Sequence, residues 1–324
     1  MIRSFANFLS LFCRMPAGNK AKQYWVAIAK IAVLAGAFYV IWQKLSATTA
    51  AEWSQFLQSS KGWPWYSVAT LLFLTIANRV IEIFKWQNLA AVVHPISWNE
   101  SAKQVLSALT AGIFTPNGIG EYGAKALYFG KQQAKKIVFL NLVCNGVQMF
   151  WSIVFGLFGL LYFNSETGLL SSKTILIVFA IVVSVIFLLT LLRKFSIRGF
   201  SIQTLLIQLD NIPKKTHRLN LLLGLLRYLS FSLQYVLLFR LFGVDIPFAL
   251  LYSGVAAVYL LASSLPSFQF LDFAVKGSVA IFFFGFLGVN EWIIVGISTL
   301  MWLFNVVLPV SIGSYFIIRF RTQW

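Results

Sequence analysis

The stretch LTAGIFTPNGIGEYGAK, residues 109–125, places a proline and two charged residues in the middle of an apolar region. A second stretch, SSLPSFQFLDFAVK, residues 263–276, has the same arrangement. In each copy the proline is followed by an acid and then, four residues later, by a lysine: Pro116, Glu121 and Lys125, then Pro266, Asp272 and Lys276. The two prolines stand 150 positions apart. The simplest interpretation is a duplicated half-chain.

An arginine precedes each copy inside an apolar run, Arg79 before the first proline and Arg227 before the second. Ionisable residues at bilayer depth are costly unless they are paired or face a wet cavity. A set of them that recurs beside a helix breaker therefore predicts a functional site.

The composition is that of an integral membrane protein. Of the 324 residues, 59% are hydrophobic and 11% are charged, and the mean hydropathy is +0.80. So little polar surface cannot coat a water-soluble globule of this size. The net charge of +17 does not indicate a nucleic-acid partner, because the basic residues fall mostly between apolar segments. We expect the chain to reside in the cell membrane (cytoplasmic or inner) and to have membrane lipids as partners.

Metal, cofactor and disulfide chemistry are not expected. The cysteines, Cys13 and Cys144, are too few for a disulfide framework or a cysteine metal site. The histidines, His94 and His217, stand in separate connecting stretches without ligand-type spacing. The nine acids are scattered, with no paired acidic motif in a loop, so we expect no catalytic residue.

Six apolar runs are long enough, at about 20 residues, to cross the hydrocarbon core as helices. They are residues 24–43, 65–84, 137–163, 174–192, 219–242 and 291–317. Short cytoplasmic loops carry an excess of Lys and Arg. Seventeen of the 26 basic residues, including Lys85, fall on the side of the two termini and four on the other side. Both termini are therefore predicted to be cytoplasmic, with an interfacial segment at 1–23 and a basic cytoplasmic loop at 193–218.

The two proline regions are predicted to be broken helices. Around Pro116, the apolar stretches 105–115 and 119–130 are too short to cross a bilayer, so a re-entrant hairpin fits. Around Pro266, the stretches 248–265 and 271–287 are longer, and either a hairpin or two tilted spans remains possible.

The resulting fold class is an all-α integral membrane protein with six spanning helices and two broken or re-entrant hairpins in an inverted repeat. The repeats are residues 24–163 and 174–317. An odd number of crossings per unit inverts the second copy, and inverted repeats with discontinuous helices are a common plan of transporters.

Local chemistry at the interruptions follows from the prolines. Because the residue before a proline avoids helical geometry, the incoming half-helices should stop at Thr115 and Leu265. Asn117 and Ser267 are then expected to cap the outgoing halves. Gly120 permits close backbone approach.

The acid and the lysine of each copy lie on one helical face, four residues apart. Two interpretations follow. The lysines and arginines could neutralise an anionic lipid headgroup while the acids control access or bind a proton; alternatively, each pair neutralises itself and pins the fold. Arg79 and Glu82 could also simply pair with each other. A stripe at Asn141, Asn145 and Gln148 predicts interhelical hydrogen bonds.

The stretch from Leu109 to Glu121, with a basic residue four positions later, resembles the first motif of the lysylphosphatidylglycerol synthase transmembrane-region family, also called flippase-like. Residues 263–266, 288–290, Pro309 and Gly313 are similar to its second motif and closing helix. The resemblance implies a polytopic membrane domain, and in multiple peptide resistance factors a related domain is linked to moving aminoacylated phospholipid between leaflets. It also implies motif roles for five residues: Pro116, Gly120, Glu121, Pro266 and Asp272.

The sequence departs from that family's pattern at Asn117-Gly118, where a small residue and Arg are frequent. It also departs at 267–272, which replaces a glycine-rich turn ending in Glu. The soluble aminoacyl-transfer domain of the synthases is not expected, because the chain ends at Trp324, seven residues past the last predicted span.

The leading hypothesis is a lipid flippase or transporter that moves an anionic or lipid-linked headgroup through a polar cavity at the membrane midplane. The predicted substrate-binding residues are Arg79, Pro116, Asn117, Gly120, Glu121, Lys125, Arg227, Pro266, Asp272 and Lys276. Two alternatives remain: a membrane enzyme that acts on a lipid or polyprenyl phosphate, and a non-catalytic scaffold for a biosynthetic partner.

Overall fold

The computed structural model describes residues 49–59, 61–113, 115, 118–171, 173–177, 200–265 and 267–320, together with residues 39, 42, 43, 46, 180, 184, 196 and 197. The predicted span 24–43, the predicted span 174–192, the segment 1–23 and part of the loop 193–218 therefore lie wholly or largely outside the described residues.

The described chain is helical almost throughout. Its helices are α1 (Ala50–Ser59), α2 (Trp65–Ala90), α3 (Trp98–Gly112), α4 (Ile119–Ala126), α5 (Ala134–Thr167), α6 (Ile202–Asp210), α7 (Lys214–Leu241), α8 (Phe248–Ser264), α9 (Asp272–Phe286), α10 (Glu291–Trp302) and α11 (Leu308–Ile318). A 3-10 turn at Gln269–Leu271 leads into α9, and a π-helical segment at Leu303–Val307 joins α10 to α11. Two short antiparallel strands, β1 (Ser196–Ile197) and β2 (Phe200–Ser201), precede α6.

Five helical segments of the described chain are long and apolar enough to cross a membrane, which suggests membrane insertion. They are Trp65–Ala90, Ala134–Thr167, Lys214–Leu241, Gln269–Phe286 and Glu291–Ile318. Four of them overlap predicted spans almost completely, and Gln269–Phe286 arises from the second proline region. Large apolar side chains on the outside of α2, such as Leu72, Phe73 and Ile76, are exposed as a lipid-facing surface would be.

The first interruption separates two helices that are too short to span a bilayer. At 1.5 Å per residue, the 15 residues of α3 rise about 22 Å and the eight of α4 about 12 Å, against about 30 Å of hydrocarbon. Helix α3 ends at Gly112, three residues before the predicted stop, because Thr115 folds back. Its backbone N–H and hydroxyl both donate to the Gly112 carbonyl, at 2.8 and 2.7 Å.

The predicted helix caps were wrong at both interruptions. Helix α4 begins after Gly118, whose φ of 68° is left-handed, so Gly118 takes the N-cap position expected for Asn117. In the second copy the outgoing half begins as the 3-10 turn, with Phe268 in the N-cap position expected for Ser267. The extra 3-10 turn accommodates the longer spacing between Pro266 and Asp272.

The helices of the two halves exchange packing partners. Helices α2 and α7 pack against each other. The incoming helix of the first interruption, α3, packs against α11, while that of the second, α8, packs against α5. In both contacts the two helices approach closely, because a glycine of one helix faces the backbone of the other. A Cβ added at Gly159 of α5 would lie 2.7 Å from the Ser253 carbonyl oxygen of α8, and one at Gly313 of α11 would collide with the Leu106 carbonyl of α3.

Candidate functional site

The tips of the two interruptions meet. The backbone N–H of Phe270 donates to the Ile113 carbonyl at 3.3 Å, and the Gln269 amide Nε2 donates to Glu121 Oε1 at 3.0 Å. A Cβ added at Gly118 would lie 2.7 Å from that same Gln269 nitrogen, so the glycine allows the contact. Three predicted site residues at these tips, Pro116, Asn117 and Pro266, lie outside the described residues.

Gly120 contributes to the close packing of the hairpin formed by α3 and α4. Its N–H donates to the Thr115 hydroxyl at 2.8 Å, and a Cβ added to it would lie 2.5 Å from the Ala111 carbonyl oxygen. Gly120 therefore lets α4 pack closely against the end of α3, which orients Glu121 one residue later.

A cavity of about 440 Å³ lies beside the joined tips, with side chains from both halves in its wall. Its charged lining residues are Arg79, Glu82, Glu121, Lys125, Arg227, Asp272 and Lys276. The six predicted site residues that carry a charge are all among them. Uncharged polar residues also line it: Asn78, Tyr122, Asn145, Gln148, Ser152, Tyr235, Tyr259, Ser263, Gln269, Ser298 and Asn305.

Glu82 is the centre of a buried ion cluster. Its Oε2 lies 2.7 Å from Arg227 Nη1 and 3.8 Å from Lys85 Nζ. Glu82 therefore pairs with the arginine of the other half and not with Arg79. Lys85, which the loop count assigned to a solvated cytoplasmic stretch, is instead inside α2 with no exposed side-chain surface. The buried Lys85 ammonium group therefore has the Glu82 carboxylate as its counter-charge.

Arg79 is held by the π-helical segment. Its Nη2 donates to the backbone carbonyl of Asn305 at 2.7 Å. Pro309 stands four residues after Asn305 and has no amide hydrogen, so that carbonyl lacks its α-helical donor and is free to accept from the arginine. The Asn305 side chain also accepts from Asn78 and donates to Gln234, which ties α2 and α7 to the same segment.

Lys125 does not pair with Glu121, although the spacing allowed it. Its Nζ donates to Asn141 Oδ1 at 2.7 Å and lies 4.3 Å from the centre of the Trp86 ring. The side chain is buried, so the amide and the ring face replace water around the ammonium group. Glu121 is consequently left with the neutral Gln269 as its partner.

The second acid–lysine pair behaves as the spacing predicts. Lys276 Nζ lies 2.5 Å from Asp272 Oδ2, and both side chains retain a quarter or more of their exposure. Lys276 also lies 5.2 Å from the centre of the Tyr259 ring. Asp272 is the first residue of α9, where the positive end of the helix dipole favours a carboxylate.

The polar stripe of α5 makes the predicted interhelical contacts. Asn141 accepts from Lys125, Asn145 Nδ2 donates to the Tyr122 hydroxyl at 3.3 Å, and Gln148 Oε1 accepts from Arg227 at 3.5 Å. The contribution of Asn305 was missed at the sequence level, although a detectable signal existed: an asparagine four residues before a proline inside an apolar run. Gln269 carried no such signal.

Among the residues that the structure describes, no group of three or more His, Cys, Asp or Glu side chains is arranged to hold a metal ion. No protein-family model matches this chain, and no curated protein matches it.

Proposed function

We propose that this protein is a flippase-like lipid transporter that moves an anionic or lipid-linked headgroup between leaflets. One observation carries the proposal: a cavity lined by seven ionisable side chains lies where two helix interruptions, contributed by two halves of the chain, meet. Charged groups at such a position are expensive in a membrane protein and are retained where a polar substrate or ion passes.

The packing supports an inverted repeat as the frame of this site. Each incoming half-helix packs against the closing helix of the opposite half, α3 on α11 and α8 on α5, while the equivalent helices α2 and α7 pack on each other. A two-fold axis that relates the two halves would produce this exchange of packing partners. Inverted repeats place substrate sites near the midplane at the repeat interface, between discontinuous helices.

Hydrogen-bond donors in the cavity wall can replace the water molecules that hydrate an anionic headgroup. A headgroup that enters bare hydrocarbon loses its hydration without compensation. Here Arg79, Arg227 and Lys276 lie in the wall and can donate hydrogen bonds along the path. The contact between the tips, Gln269 to Glu121, then closes one end of the path and must open for passage.

The sequence motifs support membership of the lysylphosphatidylglycerol synthase transmembrane-region family, and we include that membership in the proposal. Six spans, a cell-membrane location and cytoplasmic termini are parts of the same proposal, supported by the distribution of Lys and Arg.

Leaflet exchange in liposomes tests the function. The purified full chain is reconstituted with an anionic lipid that carries a fluorophore, and a membrane-impermeant reductant is added outside. Because only outer-leaflet dye is accessible, quenching of well over half of the signal in sealed liposomes reports exchange. We expect exchange by the native chain and a drop of at least tenfold in its rate for Asp272→Asn and for Lys276→Gln.

Lys61→Gln is the matched control, because Lys61 is exposed and lies outside the cavity wall. Each variant must give the native elution profile and melting curve before its rate counts. Absence of exchange for every anionic lipid tried with folded native protein contradicts the proposal. Chemical conversion of a lipid phosphate would favour the enzyme alternative, and co-purification of a stoichiometric partner with tolerant cavity charges would favour the scaffold.

A further inference from the structure

We infer that a lipid reaches the cavity sideways, through a portal between α5 and α8, so that its headgroup lies in the cavity while its acyl chains stay in the hydrocarbon. This inference rests on the proposed function and deepens it, because it selects a membrane lipid over a water-soluble anion with the same headgroup. The portal is defined by two residues, Met149 of α5 and Ser263 of α8.

Met149 and Ser263 belong both to the cavity wall and to the outer surface of the protein. Of the described residues that line the cavity, these two are exposed, and every other one is buried or half-buried. Met149 is 52% exposed. The exposed surface continues beyond the wall, to Phe150 on α5 and to Leu265 after the end of α8. The cavity therefore opens on this side, between the two helices.

The portal exists because α8 is interrupted. Gly159 of α5 faces the backbone of Ser253 in α8. Gly156, one turn earlier in α5, faces Leu260, two turns later in α8, so the two helices run antiparallel. Met149 lies seven residues before Gly156, on the same face of α5. Because α8 ends four residues after Leu260, the position that would cover Met149 lies beyond its end.

The serine hydroxyls at the portal and just inside it are satisfied within their own helices. Ser263 Oγ donates to the Tyr259 carbonyl at 2.6 Å. Ser152, which lies on α5 between Met149 and Gly156, donates its hydroxyl to the carbonyl four residues earlier at 3.1 Å. A hydroxyl bonded back to its own helix does not need water, so it is compatible with a lipid environment. The portal is therefore uncharged, whereas the cavity behind it is charged.

Contacts between neighbouring helices close other sides of the cavity. The Phe231 ring of α7 and the Tyr259 ring of α8 have centres 4.6 Å apart. The Phe273 ring of α9 and the Trp302 ring of α10 have centres 5.2 Å apart. The two tips are joined by the bond from Gln269 described above. The direct route for a headgroup from the hydrocarbon is therefore between α5 and α8.

The portal and the cavity together match the two parts of an anionic lipid. Arg227 and Lys276 in the cavity wall can meet the headgroup, and the uncharged portal can hold the start of the acyl chains. Moving those chains out of the hydrocarbon and into a charged cavity would cost free energy for every methylene group. Leaving them in the bilayer avoids this cost, which favours entry from the side.

Tryptophan substitution at Ser263 tests the portal in the liposome assay, with phosphatidylglycerol labelled on one acyl chain as the probe. Ser263→Trp places an indole ring in the portal, and we expect the exchange rate to fall at least tenfold. Ser264→Trp is the matched control, because Ser264 is the next residue of α8, is also exposed and lies outside the cavity wall. Its rate should stay within about twofold of the native rate. Equal rates for the two variants overturn the portal.

A second pair of variants keeps the test decisive if Ser263→Trp does not fold. Met149→Trp should also slow exchange at least tenfold. Phe158→Trp is its control, since Phe158 lies on the same helix, is exposed and is outside the cavity wall. Each variant must give the native elution profile and melting curve before its rate counts.

Spin labels report the medium at the portal without reference to exchange. A nitroxide on Met149→Cys, in a Cys13→Ser background where the buried Cys144 stays unlabelled, should be relaxed far more by oxygen than by a water-soluble nickel chelate. Phe158→Cys is the reference for lipid, and Lys61→Cys is the reference for water. A label at position 149 that behaves like the one at position 61 shows a water-filled opening and overturns the inference.

Glycerol phosphate, a water-soluble form of the headgroup, separates the two sources of the anion. It is trapped in the same liposomes, and its release is measured beside lipid exchange. Lipid exchange without release supports lateral entry. Release as fast as lipid exchange, and unaffected by Ser263→Trp, refutes it.

The failures of the two proposals are distinguishable. Absence of lipid exchange by the folded native chain contradicts transport itself. Native exchange that persists in both Ser263→Trp and Met149→Trp overturns the portal and leaves lipid transport standing.

Discussion

Replacing Glu82 by glutamine should destabilise the protein strongly, because it removes the one carboxylate at the centre of the buried ion cluster. Arg227 Nη1 lies 2.7 Å from that carboxylate and Lys85 Nζ lies 3.8 Å from it, and the Glu82 side chain is only 6% exposed. Removing one partner of a buried pair typically costs about 3–5 kcal/mol. Glutamine keeps an oxygen that can accept from Arg227, so we expect a loss of about 3 kcal/mol in the free energy of unfolding.

The assay is reversible unfolding of the full chain in mixed micelles, where the unfolded fraction is followed by circular dichroism as the denaturing detergent increases. A double-variant cycle with Arg227→Gln isolates the pair. The double variant should lose less than the sum of the two single losses, because it removes both charges together. Asp245→Asn is the matched control: Asp245 pairs with Arg240 but its side chain is fully exposed, so no measurable change is expected. A loss below about 1 kcal/mol for Glu82→Gln, or strict additivity in the cycle, would refute the reasoning.

Two further predictions concern the packing and the π-helical segment. Gly159→Ala should lower the free energy of unfolding by about 1–3 kcal/mol in the same assay, because the added Cβ would lie 2.7 Å from a backbone oxygen of α8. Gly146→Ala is the control: a Cβ there meets nothing within 4 Å, so the free energy of unfolding should stay the same or rise slightly. Equal effects of the two substitutions would contradict the packing argument. Pro309→Ala supplies an amide hydrogen that competes with Arg79 for the Asn305 carbonyl, so lipid exchange should slow severalfold while the free energy of unfolding stays the same or rises. An unchanged rate of lipid exchange by a folded Pro309→Ala variant would contradict a role of the π-helical segment in transport.

The general plan of the chain was accessible from residue patterns because membrane insertion imposes simple requirements. A helix must be about 20 residues long and apolar to span the hydrocarbon, so α2, α5, α7 and the α10–α11 segment could be located by counting. Proline and glycine punctuate helices for local steric reasons, so both interruptions could also be located. The second incoming half-helix ends where it was predicted to end, with Leu265 as the C-cap of α8. The first, α3, ends three residues earlier than predicted, because Thr115 satisfies the freed Gly112 carbonyl in a way that no local rule specifies.

Partner choice within the site could not be predicted in the same way. Spacing along a helix places Glu121 near Lys125 and Arg79 near Glu82, yet Lys125 bonds to Asn141 and Glu82 binds Arg227. In each case the observed partner comes from another helix, and the contact depends on how the helices are rotated and how closely they pack. Small residues and aromatic rings elsewhere in the chain determine that packing.

The sequence alone was sufficient to predict that this chain is helical and apolar, and that it is interrupted twice, each time beside an acid and a lysine four residues apart. Those features follow from interactions over a few residues and from the hydrophobicity of each segment, which do not require knowledge of neighbours. The tertiary structure alone decided that the two tips touch, that one cavity collects charges from both halves, and which cation meets which acid. These contacts join residues far apart in the chain, such as Gln269 and Glu121, which are 148 positions apart, so they exist only once the helices have packed.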